Sequence, residues 1–363
     1  MENNEVVMNR AIDLAEKWQL RAAEKITDFE KNFHKKMQKM FARPMDKVLL
    51  IDLMDQSFRT KNSARVADQV EYIFTKYGMA TFFSTPEKFL IFLFRNIGIY
   101  LPDISVPLFI KSVRDDTDTV VLKGEDDILN AHLQKRKEEG IRVNINMIGE
   151  VVLGDEEAQE RIEKYMEILT NPNIDYMSIK ISTLFSQINP VSYENTVDEF
   201  VARLSKIFAQ AKKYSFTNAK GEQENKFINL DMEEYRDLSL TVETFKRVLD
   251  MPEFKNFKAG IVLQAYLPDS HLWQVKLTDW AKERVKNGGA PIKIRLVKGA
   301  NMEMEETEAG LRHWEICPYT KKLDTDSNYK VMLEYALNPE NAPFVNLGVA
   351  SHNLFELAYG YET

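Results

Sequence analysis

The stretch IKIRLVKG at residues 292–299 decides the fold, because it places basic side chains inside an apolar run typical of a β-strand. Five further runs predict strands: VNINMIG (143–149), MSIKIS (177–182), FINLDM (227–232), AGIVLQAY (259–266) and VNLGVASH (345–352). Between them lie longer amphipathic segments, such as SLTVETFKRVLDM at 239–251, that open with the hydroxyl or acidic residues found at helix N-termini. Strands that alternate with helices predict a parallel sheet. Without a G-x-G-x-x-G motif, this repetition favours a (β/α) barrel over a doubly wound sheet.

The periodicity of the apolar residues divides the chain into two regions. Residues 1–135 show three- and four-residue spacing, which predicts an α-helical arm, and residues 136–363 hold the six strand and helix units. A TIM-like (β/α)8 barrel closes with eight strands. We therefore expect an α/β fold, a TIM-like (β/α)8-type barrel left incomplete after about six units, unless the helical arm hides further strands.

The most apolar segment is FLIFLFRNIGIYLPDISVPLFI at 89–110, which is interrupted by Arg95, Pro102, Asp103 and Pro107. A membrane-spanning helix needs about 20 apolar residues without such breaks. We predict that this segment forms a buried helix followed by a turn.

Composition narrows the classes of function. A formal net charge of −8 without long charged blocks argues against nucleic-acid binding. The single cysteine, Cys317, excludes a disulfide framework and a cysteine-rich metal site and indicates a reducing compartment, so we expect a cytoplasmic protein. The five histidines show neither HExxH nor HxH spacing, and we predict no metal.

Polar residues follow nearly every predicted strand, which is where the active sites of barrels lie. They are Glu150, Lys180, Asp231, Gln264, Arg295, Lys298, Ser351, His352 and Asn353. A charged side chain inside an apolar strand costs several kcal/mol unless it is paired or binds a ligand. For any single charged residue, an internal ion-pair network explains its position as well as a functional site does. In such a network Lys180 or Arg295 would pair with Asp231 and Glu150. Six strand ends together favour a site, and the segment RLVKGA suits an anionic cofactor.

Six motifs in this order resemble the proline dehydrogenase domain of the bifunctional proline utilization A flavoproteins. They are INMIGE, SIKIS, NLDMEEYRDLSLT, VLQAY, IRLVKGAN and ASHN. The upstream segment DLMDQSFRTKNSARVADQVEYIFTKYG resembles the helical region before the barrel in the same proteins. The resemblance extends from about Asp46 to the end of the chain.

The resemblance implies an activity and a set of partners. It implies oxidation of L-proline to Δ1-pyrroline-5-carboxylate, with hydride passing from proline C5 to N5 of noncovalent FAD and electrons leaving to a membrane quinone. We therefore expect transient association with the inner membrane. A pyrroline-5-carboxylate dehydrogenase module, in the same full-length chain, is the implied partner enzyme. The N-terminus does not resemble the DNA-binding module of some members, and we expect no repressor role.

The resemblance also assigns roles to individual residues. It implies that Lys180, Asp231 and Arg295 carry the chemistry, and that Lys180, Glu150 and Asn301 bind the substrate. The implied FAD contacts are Met232, Gln264, Arg295, Val297, Lys298, Gly299, Ala300, Thr320, Lys322, Thr325, Ser351, His352 and Asn353. The family's last helix carries an arginine pair that holds the proline carboxylate, and this sequence shows no match to that helix. The resemblance thus implies weak substrate affinity for this chain.

Two other interpretations of the sequence stay open. A barrel enzyme of another class would use Lys180 or Lys298 as a Schiff-base amine, for which a lysine within a strand is suited. Alternatively, the chain is an inactive fragment or an assembly piece of a larger bifunctional enzyme, because an open six-stranded sheet exposes two unpaired edges.

Overall fold

The computed structural model describes residues 4–57, 60–117, 122, 124–147, 152–218 and 221–363. The chain divides into two compact units. One consists of the chain up to Trp18 together with Asn130–Thr363, and the other of Gln19–Leu129.

The first unit is built on a parallel sheet. The strands are β1 (Ile145–Asn146), β2 (Tyr176–Lys180), β3 (Ser215–Thr217), β4 (Gln223–Asn225), β5 (Phe227–Asp231), β6 (Ala259–Gln264), β7 (Ile292–Val297) and β8 (Val345–Val349). Six of them form one sheet in the order β1-β2-β5-β6-β7-β8, with every pair parallel, while β3 and β4 form a separate antiparallel hairpin. Strand order that follows chain order is typical of (β/α) barrels. The six predicted strands are confirmed, and among the described residues β1 and β8 remain the edges of the sheet.

Helices connect the strands and precede them. They are α1 (Asn4–Lys25), α2 (Asp28–Phe41), α3 (Pro44–Gln56), α4 (Ser63–Tyr77), α5 (Thr85–Asn96), α6 (Pro102–Thr117), α7 (Asp126–Glu138), α8 (Asp155–Ile168), α9 (Tyr193–Lys213), α10 (Leu238–Asp250), α11 (Ser270–Lys286), α12 (Met302–Arg312), α13 (Lys322–Leu337) and α14 (Leu354–Glu362). In α9, Val197, Phe200, Leu204 and Phe208 recur every three or four residues and are fully buried. This spacing places one apolar stripe of the helix against the sheet.

Alternation along the strands separates the two faces of the sheet. One face is apolar and packs under the helices: Met177, Ile179, Ile228, Leu230, Ile261, Leu263, Ile294 and Leu296 are each 0% exposed. Successive side chains of a strand point to opposite faces. The other face therefore carries the intervening residues, which include Ser178, Asn229, Asp231, Lys293 and Arg295. The polar face is where the charged strand residues of the sequence meet.

Gly260 in β6 leaves the space that the polar face needs. A Cβ atom at this position would lie 2.6 Å from Asn229 Oδ1 and 3.2 Å from the carbonyl oxygen of Lys293. We expect Gly260→Ala to lower the free energy of unfolding by about 1–3 kcal/mol, because the added methyl displaces a fully buried amide. The control is Gly310→Ala in α12, where a Cβ meets nothing within 4 Å and alanine should stabilise by about 0.5–1 kcal/mol. Equal urea midpoints for the two variants would contradict the expectation.

The second unit is helical, and its apolar segment 89–110 differs from the prediction. This segment forms the end of α5, a short 3-10 turn at Gly98–Tyr100 and the start of α6. Ile91, Phe94 and Val106 are buried, but Leu90 is 56% exposed and Leu108 is 64% exposed. The predicted helix followed by a turn is therefore present, but only one side of the helix is buried. A continuous apolar run covers every side of a helix, whereas a short surface helix turns only one stripe toward a core.

Among the described residues, no helix combines the length and the apolar character needed to cross a membrane.

Candidate active site

Asp231 and Arg295 form an ion pair between the ends of β5 and β7. The Asp231 carboxylate is 8% exposed and also accepts hydrogen bonds from Asn146 Nδ2 and Asn229 Nδ2, each at 3.0 Å. Three donors thus fix one carboxylate on the polar face of the sheet. The ion pair of Arg295 with Asp231, which the sequence allowed as an alternative to a functional site, is therefore present. Asn146 and Asn229 were not among the predicted site residues, although their alternation with the apolar residues places them on this face.

Lys180 pairs with Glu233, which the sequence analysis did not single out. The distance from Lys180 Nζ to Glu233 Oε1 is 3.0 Å, and Ser182 Oγ donates to the other oxygen of the same carboxylate. Lys180 and Asp231 are register partners on neighbouring strands. The only sequence signal for Glu233 was its position directly after β5, in the acidic run DMEE. The strand-end site, as the term is used below, consists of Lys180, Asp231 and Gln264 at the ends of β2, β5 and β6 and of Arg295 two residues before the end of β7.

Two buried polar atoms in the strand-end site have no partner within the part of the chain that the structure describes. Gln264 is 2% exposed, and its Nε2 donates to the carbonyl oxygens of Met232 and Glu233 at 3.3 and 3.1 Å, but its Oε1 accepts no hydrogen bond. Arg295 Nε is buried and donates to no acceptor. A buried polar atom without a partner costs about 1–3 kcal/mol, so both atoms are suited to a ligand.

A second group of charges lies beyond β7 and is called the lysine and carboxylate cluster. Lys298 forms ion pairs with Asp326 in α13 and Glu356 in α14, and Lys322 Nζ lies 2.5 Å from Asp326 Oδ2. Burial alone would lower the pKa of Lys298, but the hydrogen bonds to the two carboxylates raise it above its usual value. Ser351 Oγ donates to Glu356 Oε2 at 2.5 Å. Three predicted cofactor contacts, Lys298, Lys322 and Ser351, therefore meet in one place.

Gly299 allows the chain to turn closely beneath an aromatic ring after β7. Its φ is 145°, in the region that favours glycine, and a Cβ there would overlap the ring of Tyr266. Val297 is half-buried, Ala300 is exposed, and Asn301 is the N-cap residue of α12.

The remaining predicted site residues lie at several depths. Met232 is 7% exposed and Thr325 is 8% exposed, whereas Thr320 and His352 are exposed. Asn353 is the N-cap residue of α14, where its side chain accepts from the backbone N–H of Phe355. Glu150 lies outside the described residues.

The segment after β5 holds buried carboxylates that the sequence analysis did not consider. The Nε atom of Arg236 lies 2.7 Å from Glu234 Oε2 but 3.9 Å from Asp237 Oδ1, and its Nη1 atom lies 3.0 Å from Glu308 Oε1. Burial, opposed by Arg236, raises the pKa of Glu234 to about 7 and that of Asp237 to about 6. Because their pKa values lie near neutral pH, Glu234 and Asp237 couple the stability of this segment to pH.

Within the described residues, no three His, Cys, Asp or Glu side chains are arranged to hold a metal ion.

We expect Asp237→Asn to stabilise the protein at about pH 8 and to change little at about pH 4. The folded-state pKa of Asp237 is about 6, raised from 3.8. The protonated carboxyl thus contributes stability that is fully present below the ordinary pKa and is lost as the pH rises through 6. Asparagine removes the buried charge, so the gain at about pH 8 should be on the order of 2–3 kcal/mol. Thermal unfolding at the two pH values measures it, with the exposed Asp279→Asn as control; equal gains at both pH values would contradict the expectation.

Comparison with known proteins identifies the family. The family model described as proline dehydrogenase matches residues 129–363. The chain belongs to the proline dehydrogenase family. This finding confirms the resemblance drawn from the strand-end motifs.

Individual proline dehydrogenase relatives match this chain over only part of their own length. Proline dehydrogenase from Deinococcus radiodurans is 25% identical over 221 residues, covering 61% of this chain and 60% of that protein. The structure of proline utilization A (PutA) from Corynebacterium freiburgense is 43% identical, with a TM-score of 0.64, and the match covers 69% of this chain and 25% of that one. PutA from Bdellovibrio bacteriovorus, inactivated by N-propargylglycine, is 27% identical with a TM-score of 0.75 over 99% of this chain and 35% of that one. The chain thus spans less than two thirds of each of these relatives.

Proposed function

We propose that this chain binds FAD and L-proline at the strand-end site and oxidises L-proline to Δ1-pyrroline-5-carboxylate. One observation carries the proposal. In a chain of this family, the ends of adjacent parallel strands bring together two opposite-charge pairs, Asp231 with Arg295 and Lys180 with Glu233. The substrate is a small zwitterion, and a site with paired charges of both signs suits it.

Lys180 is the group we assign to the proline carboxylate. An ammonium has three N–H donors, and the contact with Glu233 uses one of them. Two donors remain for the substrate. Asp231, on the neighbouring strand, is suited to the substrate nitrogen. Oxidation removes a hydride from C5 and a proton from nitrogen, which leaves a C=N bond. Glu150 and Asn301 are further proposed substrate contacts.

The residues present fit FAD. Gln264 Oε1 is a buried acceptor and Arg295 Nε a buried donor, both without partners among the described residues, which suits the donor and acceptor edge of a flavin ring. Bound FAD would supply the acceptor for the hydride. The positive charge of Arg295 favours the negative charge that develops there. The other proposed FAD contacts are Met232, Val297, Lys298, Gly299, Ala300, Thr320, Lys322, Thr325, Ser351, His352 and Asn353.

The wider setting is part of the proposal. Electrons would pass to a membrane quinone, during transient association of a cytoplasmic protein with the inner membrane. The product would pass to a pyrroline-5-carboxylate dehydrogenase module. Support for a further module comes from the solved relatives, which are PutA proteins longer than this chain.

The visible absorption spectrum of the purified protein, before and after anaerobic L-proline, tests the proposal. Oxidised flavin absorbs blue light and bleaches when it accepts a hydride, so we expect a yellow protein that bleaches. Lys180→Met should stay yellow and bleach far more slowly. A colourless protein that borohydride inactivates only in the presence of a carbonyl substrate would instead identify a Schiff-base lysine, because borohydride reduces the imine that lysine and substrate form. Of the two candidate lysines, Lys298 fits that chemistry poorly, because its carboxylate partners raise its pKa and keep the amine protonated.

A further inference from the structure

The lysine and carboxylate cluster is electrically balanced as it stands. It contains the two ammonium groups of Lys298 and Lys322 and the two carboxylates of Asp326 and Glu356, so its formal charge is zero. Asp326 bridges both lysines. A diphosphate group needs an excess of positive charge, and a balanced cluster offers none until one carboxylate moves away.

The two carboxylates differ in their freedom to move. The Glu356 side chain is 8% exposed and also accepts the hydroxyl hydrogen bond of Ser351. The Asp326 side chain is 25% exposed and lies in α13, between a lysine that is 26% exposed and one that is 78% exposed. Burial would raise the pKa of Asp326, but hydrogen bonds from these two lysines lower it below its usual value. Asp326 is therefore the carboxylate that can rotate toward solvent.

We propose that Asp326 is an internal anion that occupies the lysine pair and limits the affinity of this chain for the diphosphate of its cofactor. The inference rests on the proposed function, because it takes FAD as the cofactor. Binding the diphosphate exchanges one anion for another: the Asp326 carboxylate leaves Lys298 and Lys322 while Glu356 stays and holds Lys298 in place. The Asp326 side chain thus sets how tightly the cofactor is retained.

The test compares Asp326→Asn with Asp324→Asn in the full 363-residue chain. Asp324 lies in α13 two residues before Asp326 and is exposed, and its substitution removes the same charge. The dissociation constant of FAD is measured by dilution, because free FAD fluoresces more strongly than bound flavin. We expect Asp326→Asn to bind FAD about tenfold more tightly and Asp324→Asn to change affinity less than about twofold. Riboflavin, which lacks the diphosphate, should show no difference between the variants.

Two further measurements complete the test. Lys322→Met should weaken FAD binding, and the advantage of Asp326→Asn should shrink as salt screens the cluster. Unchanged or weaker FAD binding in Asp326→Asn, or an equal gain in Asp324→Asn, overturns the inference and leaves the proposed function standing. Failure of every variant to bind FAD overturns both together.

Discussion

Replacing Arg295 with methionine is expected to lower the rate of L-proline-dependent flavin reduction about 10²–10³-fold. Arg295 holds the Asp231 carboxylate, and its Nε is buried without an acceptor among the described residues. Methionine fills similar space and has no donor. Of its described partners, Asp231 then keeps the amide donors of Asn146 and Asn229, and a carboxylate that is 8% exposed loses the guanidinium that neutralises it. Stopped-flow absorbance of the flavin band measures the rate.

Lys293→Met is the matched control for Arg295→Met. Lys293 lies two residues earlier in β7, and its Nζ is 5.1 Å from the centre of the Tyr176 ring. Burial, followed by repulsion from Arg142 and Arg295, lowers the pKa of Lys293. Its removal changes the charge by the same amount without breaking the Asp231 pair, so the rate should fall less than about tenfold. If both variants lost the same fraction of the flavin-reduction rate, the rate would depend on net charge and not on the position of the guanidinium.

Alternation along strands explains how much of the strand-end site the sequence could predict. Lys180, Asp231 and Arg295 stood out because each is a charge within an apolar run, and burial makes an unpaired charge there costly. The same reasoning located the strands. Helix bounds were also close, with 239–251 predicted against Leu238–Asp250 observed for α10, because hydroxyl or acidic residues at helix starts and apolar stripes are local signals.

The partners of those charges could not be predicted, because they depend on which residues three-dimensional packing brings together. Glu356 and Asp326 reach Lys298 from two different helices. Glu233 reaches Lys180 across neighbouring strands and binds Ser182 as well. No spacing along the chain encodes these contacts. The β3 and β4 hairpin was missed for a different reason, since its strands SFT and QEN are short and largely polar.

Replacing Arg284 with methionine is expected to lower the free energy of unfolding by about 3–5 kcal/mol. Arg284 lies in α11, is 7% exposed, and donates to backbone carbonyl oxygens from several segments of the chain. The acceptors are the carbonyls of Leu249, Phe254, Lys255, Phe257 and Ala290. Burial lowers the pKa of the guanidinium, which shows that its desolvation is costly and that the carbonyl dipoles must offset it. Without the donors, each buried carbonyl left unpaired costs about 1–3 kcal/mol, less whatever water recovers.

Two variants separate this hydrogen-bonding role from charge and helix propensity. Lys286→Met makes the same change of charge two residues later, at a side chain that is 63% exposed and, among the described residues, pairs with Glu283. Its unfolding midpoint in urea should change by less than about 0.5 kcal/mol. Arg284→Lys keeps the charge but replaces five donors in a planar fork by three on one atom, so about half of the loss should remain. A lysine variant as stable as the original protein would show that Arg284 acts through its charge alone. The carbonyl oxygens of Leu249, Phe254, Lys255, Phe257 and Ala290 would then need no guanidinium donor.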